Sequence, residues 1–490
     1  MLPDNLPALL IAVLVIFAAG GVVFYAIERE PLRYRWWERL AYCYPLGLAA
    51  LGMPMFLVSW GGFHLRVLPV LLLVGLAAAV AYAIRRVPLT PYVAVQRSAE
   101  PRTPLSEMEW FLVAIIVACL AARTMASLMT PMNDWDGICV WGLKAKVVFF
   151  ETVRTTGYFN RNELQYSHPI YPLLWPFMYA WVATVLGHWD DVGIFILNPV
   201  NVIVATALLY GALRKQTSRM TSLAMTAAFA SFPAIMNYAE CAQGDVPLML
   251  LNAASLFCLF DWLQSRRLPS LLLAGFLIGG AMFTKEEGKI ILVAHTVVIA
   301  LSIVMAAAPA ERKKLFGHLG LYLLIAGIWI LPWVIFQRSI PAGEDQFRAV
   351  TASNIRWSEL PTLIHAIVGQ NALHIYNSYG YPKWNIFWLM AVPYILFSRT
   401  TRSYPYSLLL LIFFLHAAAV LLIWLASTEP ITLDMNEFGW ERYILIMMPP
   451  VWLLLGKCVD EWWAVWKSPI SAPTRPPRDT GPSGLRKRGT

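Results

Sequence analysis

The residues best placed for chemistry fall in five short stretches, each beside a long apolar run. The first is Met132-Asn133-Asp134-Trp135-Asp136-Gly137, followed by Lys144 and Lys146. Carboxylates at a membrane surface are costly to desolvate, so they invite a functional reading. A carboxylate held there can take a proton from a hydroxyl nucleophile or bind a cation; otherwise it is a solvated loop acid. The second is Ser167-His168-Pro169-Ile170-Tyr171-Pro172, where a histidine near a helix N-terminus suits a phosphate or is merely structural. The third, Tyr238 to Leu248, places Asp245 at the start of an apolar run, at least as an N-cap. The fourth, Thr284-Lys285-Glu286-Glu287-Gly288-Lys289, sets four charges between two apolar runs. Either it is a self-paired turn, or Lys285 meets a phosphate and Glu287 pairs with it or touches sugar hydroxyls. The fifth is Glu441-Arg442-Tyr443, where Arg442 either snorkels or holds a phosphate in bidentate fashion.

These stretches need a scaffold, and composition says which. Of 490 residues, 58% are hydrophobic and only 14% charged. Repeated apolar runs of about 18–20 residues match a hydrocarbon core of about 30 Å. The chain reads as an all-α polytopic membrane protein; the short alternating segments of a barrel are missing. The net charge of +9 would suggest nucleic acid in a soluble protein. Here the basic residues sit in short loops, the pattern that sets membrane orientation. Six cysteines without metal spacing read as packing residues. Leu6–Ile27 reads as a retained span rather than a cleaved leader.

Loop charge then fixes the topology. Spans at about 7–27, 41–60, 66–84, 109–128, 193–213, 221–238, 246–264, 270–284, 290–306, 317–336, 384–398, 406–426 and 442–457 put every basic loop on the cytoplasmic side, about thirteen in all. The run Ile170–Leu186 would invert that order if it crossed. It is therefore expected to be a re-entrant or interfacial helix on the outer face. All five polar stretches then gather on the non-cytoplasmic side, with juxtamembrane helices around the first two. The chain divides into N-terminal spans and a loop over 1–108, a membrane core over 109–460, and a disordered basic cytoplasmic tail over 461–490.

Taken in order, from about Ala122 to Leu455, these pieces resemble the GT-C superfamily of polytopic glycosyltransferases, whose members include protein O-mannosyltransferases and aminoarabinose transferases. Trp135-Asp136-Gly137 looks like the family's acidic first outer loop. His168 takes the place of a basic residue before a proline-rich helix. Asp245 looks like the second loop's acid, and Thr284–Gly288 and Glu441–Tyr443 are similar to two further family turns. The resemblance implies inverting transfer of a sugar from polyprenyl phosphate to an acceptor hydroxyl. Asp136 would be the base, with Asp134 in reserve. Lys285, Arg442, His168 and Lys144 would meet the donor phosphate, and Asp245, Glu287, Glu286 and Tyr443 the sugar or acceptor. The acceptor would be a glycan, lipid or protein at the periplasmic face of a bacterial inner membrane. No metal ligand set is identified, although Asp136 with Asp245 would suit a divalent ion such as Mg²⁺ or Mn²⁺. Two alternatives stand: an O-antigen polymerase or ligase using arginines of the 337–383 segment (Arg338, Arg348, Arg356), and a lipid-linked sugar transporter or flippase.

Overall fold

The structure is a computed structural model. It describes residues 2–67, 75, 103–341, 353–367, 387–427, 442–443 and 445–467. The expected span at 66–84, the arginines from Arg85 to Arg102, Arg348, Glu441 and the tail after Lys467 lie outside the described residues. Among the described residues every regular element is helical.

The helices are α1 (Leu2–Ile27), α2 (Trp36–Trp60), α3 (Glu107–Met129), α4 (Leu143–Phe150), α5 (Leu174–Leu186), α6 (Leu197–Arg214), α7 (Arg219–Ala230), α8 (Pro233–Glu240), α9 (Asp245–Ser265), α10 (Leu268–Thr284), α11 (Glu287–Ala306), α12 (Pro309–Gln337), α13 (Leu360–His365), α14 (Phe387–Phe397), α15 (Tyr406–Ala426) and α16 (Met448–Lys467). Eight described helical segments are long and apolar enough to cross a membrane, with α5 and α10 as shorter apolar helices. The all-helical polytopic class is as the sequence implies, while the eight long helices are counted among the described residues only, which leave out most of 66–84, against about thirteen spans expected for the whole chain. One reason lies at 221–238, read as a single span. The chain breaks after Ala230, and Pro233 opens α8 at its first turn, because proline cannot donate the hydrogen bond that would continue a helix.

Local sequence sets the helix starts. Ser106 caps α3, with its hydroxyl facing the Glu109 amide, while Glu109 reaches back to the Ser106 amide at 2.8 Å. Burial then sorts the helices. The most apolar window of α9 is 94% buried and that of α3 only 6%. A helix apolar all round belongs either in an interior or against lipid. So α9 forms the centre and α3 presents Trp110, Phe111 and Met125 outward. Helix α2 is also interior, packed against α5, α6 and α10.

Polar contacts tie the loops into two groups at opposite ends of the bundle. At one end Arg267 pairs with Glu28, Lys215 with Glu38 and Arg219 with Glu109, and Asp460 accepts from the Ser218 amide. At the other end Ser59 binds the Val153 amide, Asn5 reaches Asp190 and Gln337 reaches the Ile170 carbonyl. Helix α5 enters beside Ile170 and leaves beside Asp190, both at this second end. At 13 residues it spans only about 20 Å. It is an interior helix: Leu174 through Ala183 are buried, and Trp181 donates to the Ala12 carbonyl at 3.0 Å. Its apolar residues have α1, α2 and α4 to pack against on all sides, so lipid is not their neighbour.

Candidate active site

The second end of the bundle holds a continuous ion-pair network. Asp245 is its centre and is fully buried. It stands in the first turn of α9, with Gly244 rather than itself at the N-cap. Its carboxylate is thereby free for side chains, and the helix dipole favours its charge. Its Oδ1 accepts from Lys285 Nζ at 2.8 Å. Its Oδ2 accepts from Arg442 Nη2 at 3.0 Å and Nε at 3.2 Å. Lys285 also pairs with Glu287 at 2.8 Å and lies over the Tyr443 ring at 5.4 Å. The remaining Arg442 arm, Nη1, donates to Asp136 Oδ2 at 2.7 Å. Asp136 is the open edge of this network, with its side chain 31% exposed against 1% for Asp245. Burial pulls the Lys285 amine down, but Asp245 and Glu287 outweigh it and hold the ammonium above its ordinary range.

Close backbone approach is what lets these segments meet. A β-carbon on Gly137 would lie 2.4 Å from Asp134 Oδ1 and 2.6 Å from Ala242 Cβ. One on Gly288 would lie 2.5 Å from the Ala281 carbonyl. Asp134 is occupied in this scaffold. It accepts from the amides of Gly137 at 2.8 Å and Ala242 at 2.9 Å, and from the Gln243 side chain at 3.1 Å. It joins the loop after α3 to the loop before α9. Glu286 turns away from Lys285 toward Lys289 and Gln337.

A second layer sits beside the network. His168 has left-handed backbone geometry, φ 49°, and its ring stacks on Tyr171 at 4.6 Å and 10°. Burial, then the Lys144 charge, push its pKa down to about 4, so at neutral pH the imidazole offers a hydrogen bond rather than a charge. Lys144, one residue into α4, is wholly buried. Its ammonium lies 5.1 Å from the Tyr171 ring and 5.5 Å from the Trp141 ring. Tyr171 stands in the stretch around His168 without an expected role, and Trp141 and Gln337 were not among the expected site residues. The signal available for Tyr171 was its position three residues after His168. Gln337 is the polar residue that ends an apolar helix, and its amide bridges the Ile170 carbonyl and Glu286.

The residues do not fit a divalent ion. Among the described residues no group of three or more His, Cys, Asp or Glu is placed to hold one. Asp136 and Asp245, the pair suited to Mg²⁺ or Mn²⁺, both point at the Arg442 guanidinium. Such ions need about six oxygen ligands. Arg356, offered for polymerase chemistry, donates to the Trp424 and Leu425 carbonyls.

Comparison with known proteins bears on the middle of the chain. Residues 167–336 match the family described as dolichyl-phosphate-mannose-protein mannosyltransferase. Among curated proteins none matches. A solved structure, the S. cerevisiae protein O-mannosyltransferase Pmt1–Pmt2 complex bound to the sugar donor, is 20% identical, with a TM-score of 0.35. The match covers 52% of this chain and 37% of that one, so this chain spans well under half of its length. The matched family segment runs from Ser167 through Phe336 and so includes Asp245, Lys285 and Glu287, while Asp136 and Arg442 lie outside it; over that stretch the likeness to GT-C glycosyltransferases is borne out.

Proposed function

We propose that this chain is a membrane glycosyltransferase that moves a sugar, a mannosyl unit in the first instance, from a polyprenyl-phosphate donor to an acceptor hydroxyl. The observation that carries this reading is the single network of Asp136, Asp245, Lys285, Glu287 and Arg442, drawn from loops up to 306 residues apart. The acceptor oxygen attacks the anomeric carbon as the bond from that carbon to the phosphate oxygen breaks, with inversion. Asp136 takes the hydroxyl proton. Lys285 and Arg442 face the leaving phosphate, and fixed charges of this kind act on the charge that develops in the transition state. Asp245 holds both cations in place, and Arg442 in turn orients Asp136. Phosphate is a competent leaving group, so the reaction needs no general acid. The acceptor hydroxyl belongs to a protein, lipid or glycan. The basic end of the bundle points to the cytoplasm of a bacterial inner membrane, leaving the site at the periplasmic face.

The test is turnover of purified protein with a panel of polyprenyl-phosphate sugars, followed by loss of donor. Asp136→Asn is expected to lower turnover by about 10²–10⁴-fold, the usual worth of a general base. Unchanged turnover in that variant would remove Asp136 from the role, and inert wild type across the panel would remove the donor class.

A further inference from the structure

Arg442 reaches its two carboxylates from a segment whose backbone is irregular. Ile446 and Met447 form a turn between Arg442–Tyr443 and α16. The sequence shows why the chain bends there. Pro449 and Pro450 follow, and proline carries no amide hydrogen. In a continuous α-helix the Ile446 carbonyl would accept from the amide of residue 450. That donor does not exist, yet Ile446 is fully buried. A buried carbonyl left without a donor is costly.

Asn252 of α9 supplies the donor. Its exposure is zero, and its Nδ2 donates to the Ile446 carbonyl at 2.9 Å. A carbonyl can only accept, so this contact fixes which end of the side-chain amide is nitrogen. Asn252 stands seven residues after Asp245 in the same helix. That is close to two turns, so both side chains leave α9 on one face, about 10 Å apart along its axis. On that face Asp245 takes the Arg442 guanidinium, and Asn252 takes the backbone four residues further along the same segment. Helix α9 therefore grips this segment twice, once by a side chain and once by the main chain. His416 of α15, itself buried, adds a third point, its Nε2 meeting the Tyr443 carbonyl at 3.3 Å. Burial of apolar surface is non-directional, so packing alone would not set the rotation of the turn. A directed hydrogen bond does.

We propose that Asn252 is a positioning residue: by holding the turn at Ile446 it sets the reach of Arg442, and through Arg442 the aim of Asp136. This rests on the glycosyl-transfer reading above, since the reach matters to turnover only if Arg442 and Asp136 act on the substrate. Asn252 itself meets backbone and not the reacting groups.

The test is a double-mutant cycle on the full chain in detergent, with Asn252→Leu, Arg442→Lys and the two together. Turnover is followed with undecaprenyl-phosphate mannose, and melting is followed with no donor present. Asn252→Leu, similar in size, is expected to lower kcat by about 10–10²-fold, the cost of displacing a group at an active site. Lysine at 442 is a flexible point charge without the planar fork, so its reach depends far less on the turn. In that background the same substitution is expected to cost about threefold or less, the sign of residues that act as a unit. Losses by the same factor in both backgrounds overturn the proposal, because Asn252 would then support the fold without acting through Arg442. Asn252→Leu that turns over as wild type overturns it as well. Should Asn252→Leu not fold, Asn252→Ser carries the same comparison, since its short hydroxyl bonds within its own helix. A wild type that turns over no sugar of the donor panel overturns the glycosyl-transfer reading instead. The melting cycle then decides the placing of Arg442: coupled losses keep Asn252 and Arg442 on one grip, and additive losses remove it.

Discussion

At the scale of single residues, Asp136 and Asp245 are both carboxylates on Arg442, yet their settings predict different behaviour. Asp245 is enclosed and neutralises two cations. Asp245→Asn would leave Lys285 and Arg442 short of a counter-charge in a buried place, and losing one partner of a buried pair costs about 3–5 kcal/mol. Thermal melting in detergent should therefore fall by several degrees, and turnover with it. Asp136→Asn keeps the shape and remains partly in solvent, so melting should stay near wild type while turnover collapses. Equal melting losses in both variants would contradict this division. Residue chemistry read from sequence found Asp136, Asp245, Lys285 and Arg442, because charges are rare enough in this chain to stand out. It ranked Asp136 ahead of Asp134 only through the family resemblance, since spacing alone does not distinguish two carboxylates two positions apart. Only the fold shows Asp134 turned toward the Gly137 and Ala242 amides. Nor could spacing show that Glu286 faces Gln337 while Glu287 faces Lys285.

At the scale of elements, the site depends on two turns that hold their shape through glycine. The turn between α10 and α11 doubles back so tightly that Gly288 lies against the Ala281 carbonyl and the Met282 amide. Those are backbone atoms of a buried helix, which cannot swing aside as a side chain would. Gly288→Ala is expected to cost about 1–3 kcal/mol as an overpacked contact. It should also shift Lys285 and Glu287 together, so that donor binding weakens along with melting temperature. A variant that melts and binds as wild type would show that the turn has slack. The long helices were readable from hydropathy because crossing a bilayer demands length. The breaks were less so. Ser231-Phe232-Pro233 interrupts an apolar run without an added charge, and a hydropathy window averages over it. For α5 the expectation that it does not cross rests on counting basic loops on either side rather than on its own residues.

At the scale of the whole molecule, two kinds of end face away from each other. One collects Glu28–Arg267, Glu38–Lys215, Glu109–Arg219 and Asp460 near Ser218, and the other the Asp245 network. Short loops rich in lysine and arginine stay in the cytoplasm. The loop after α6 carries Arg214, Lys215 and Arg219, and should therefore be cytoplasmic. The end of α12 at Gln337 touches Glu286 and Ile170 at the other end of the bundle. A phosphatase reporter that is active only outside the cytoplasm is thus expected to be active when fused after Gln337 and inactive when fused after Gln216. Both fusion points follow complete helices, so the preceding spans are intact in each. The reverse result would place the Asp136–Asp245–Arg442 network in the cytoplasm. It would then require a donor headgroup presented on that leaflet, while the ion-pair geometry would stand unchanged.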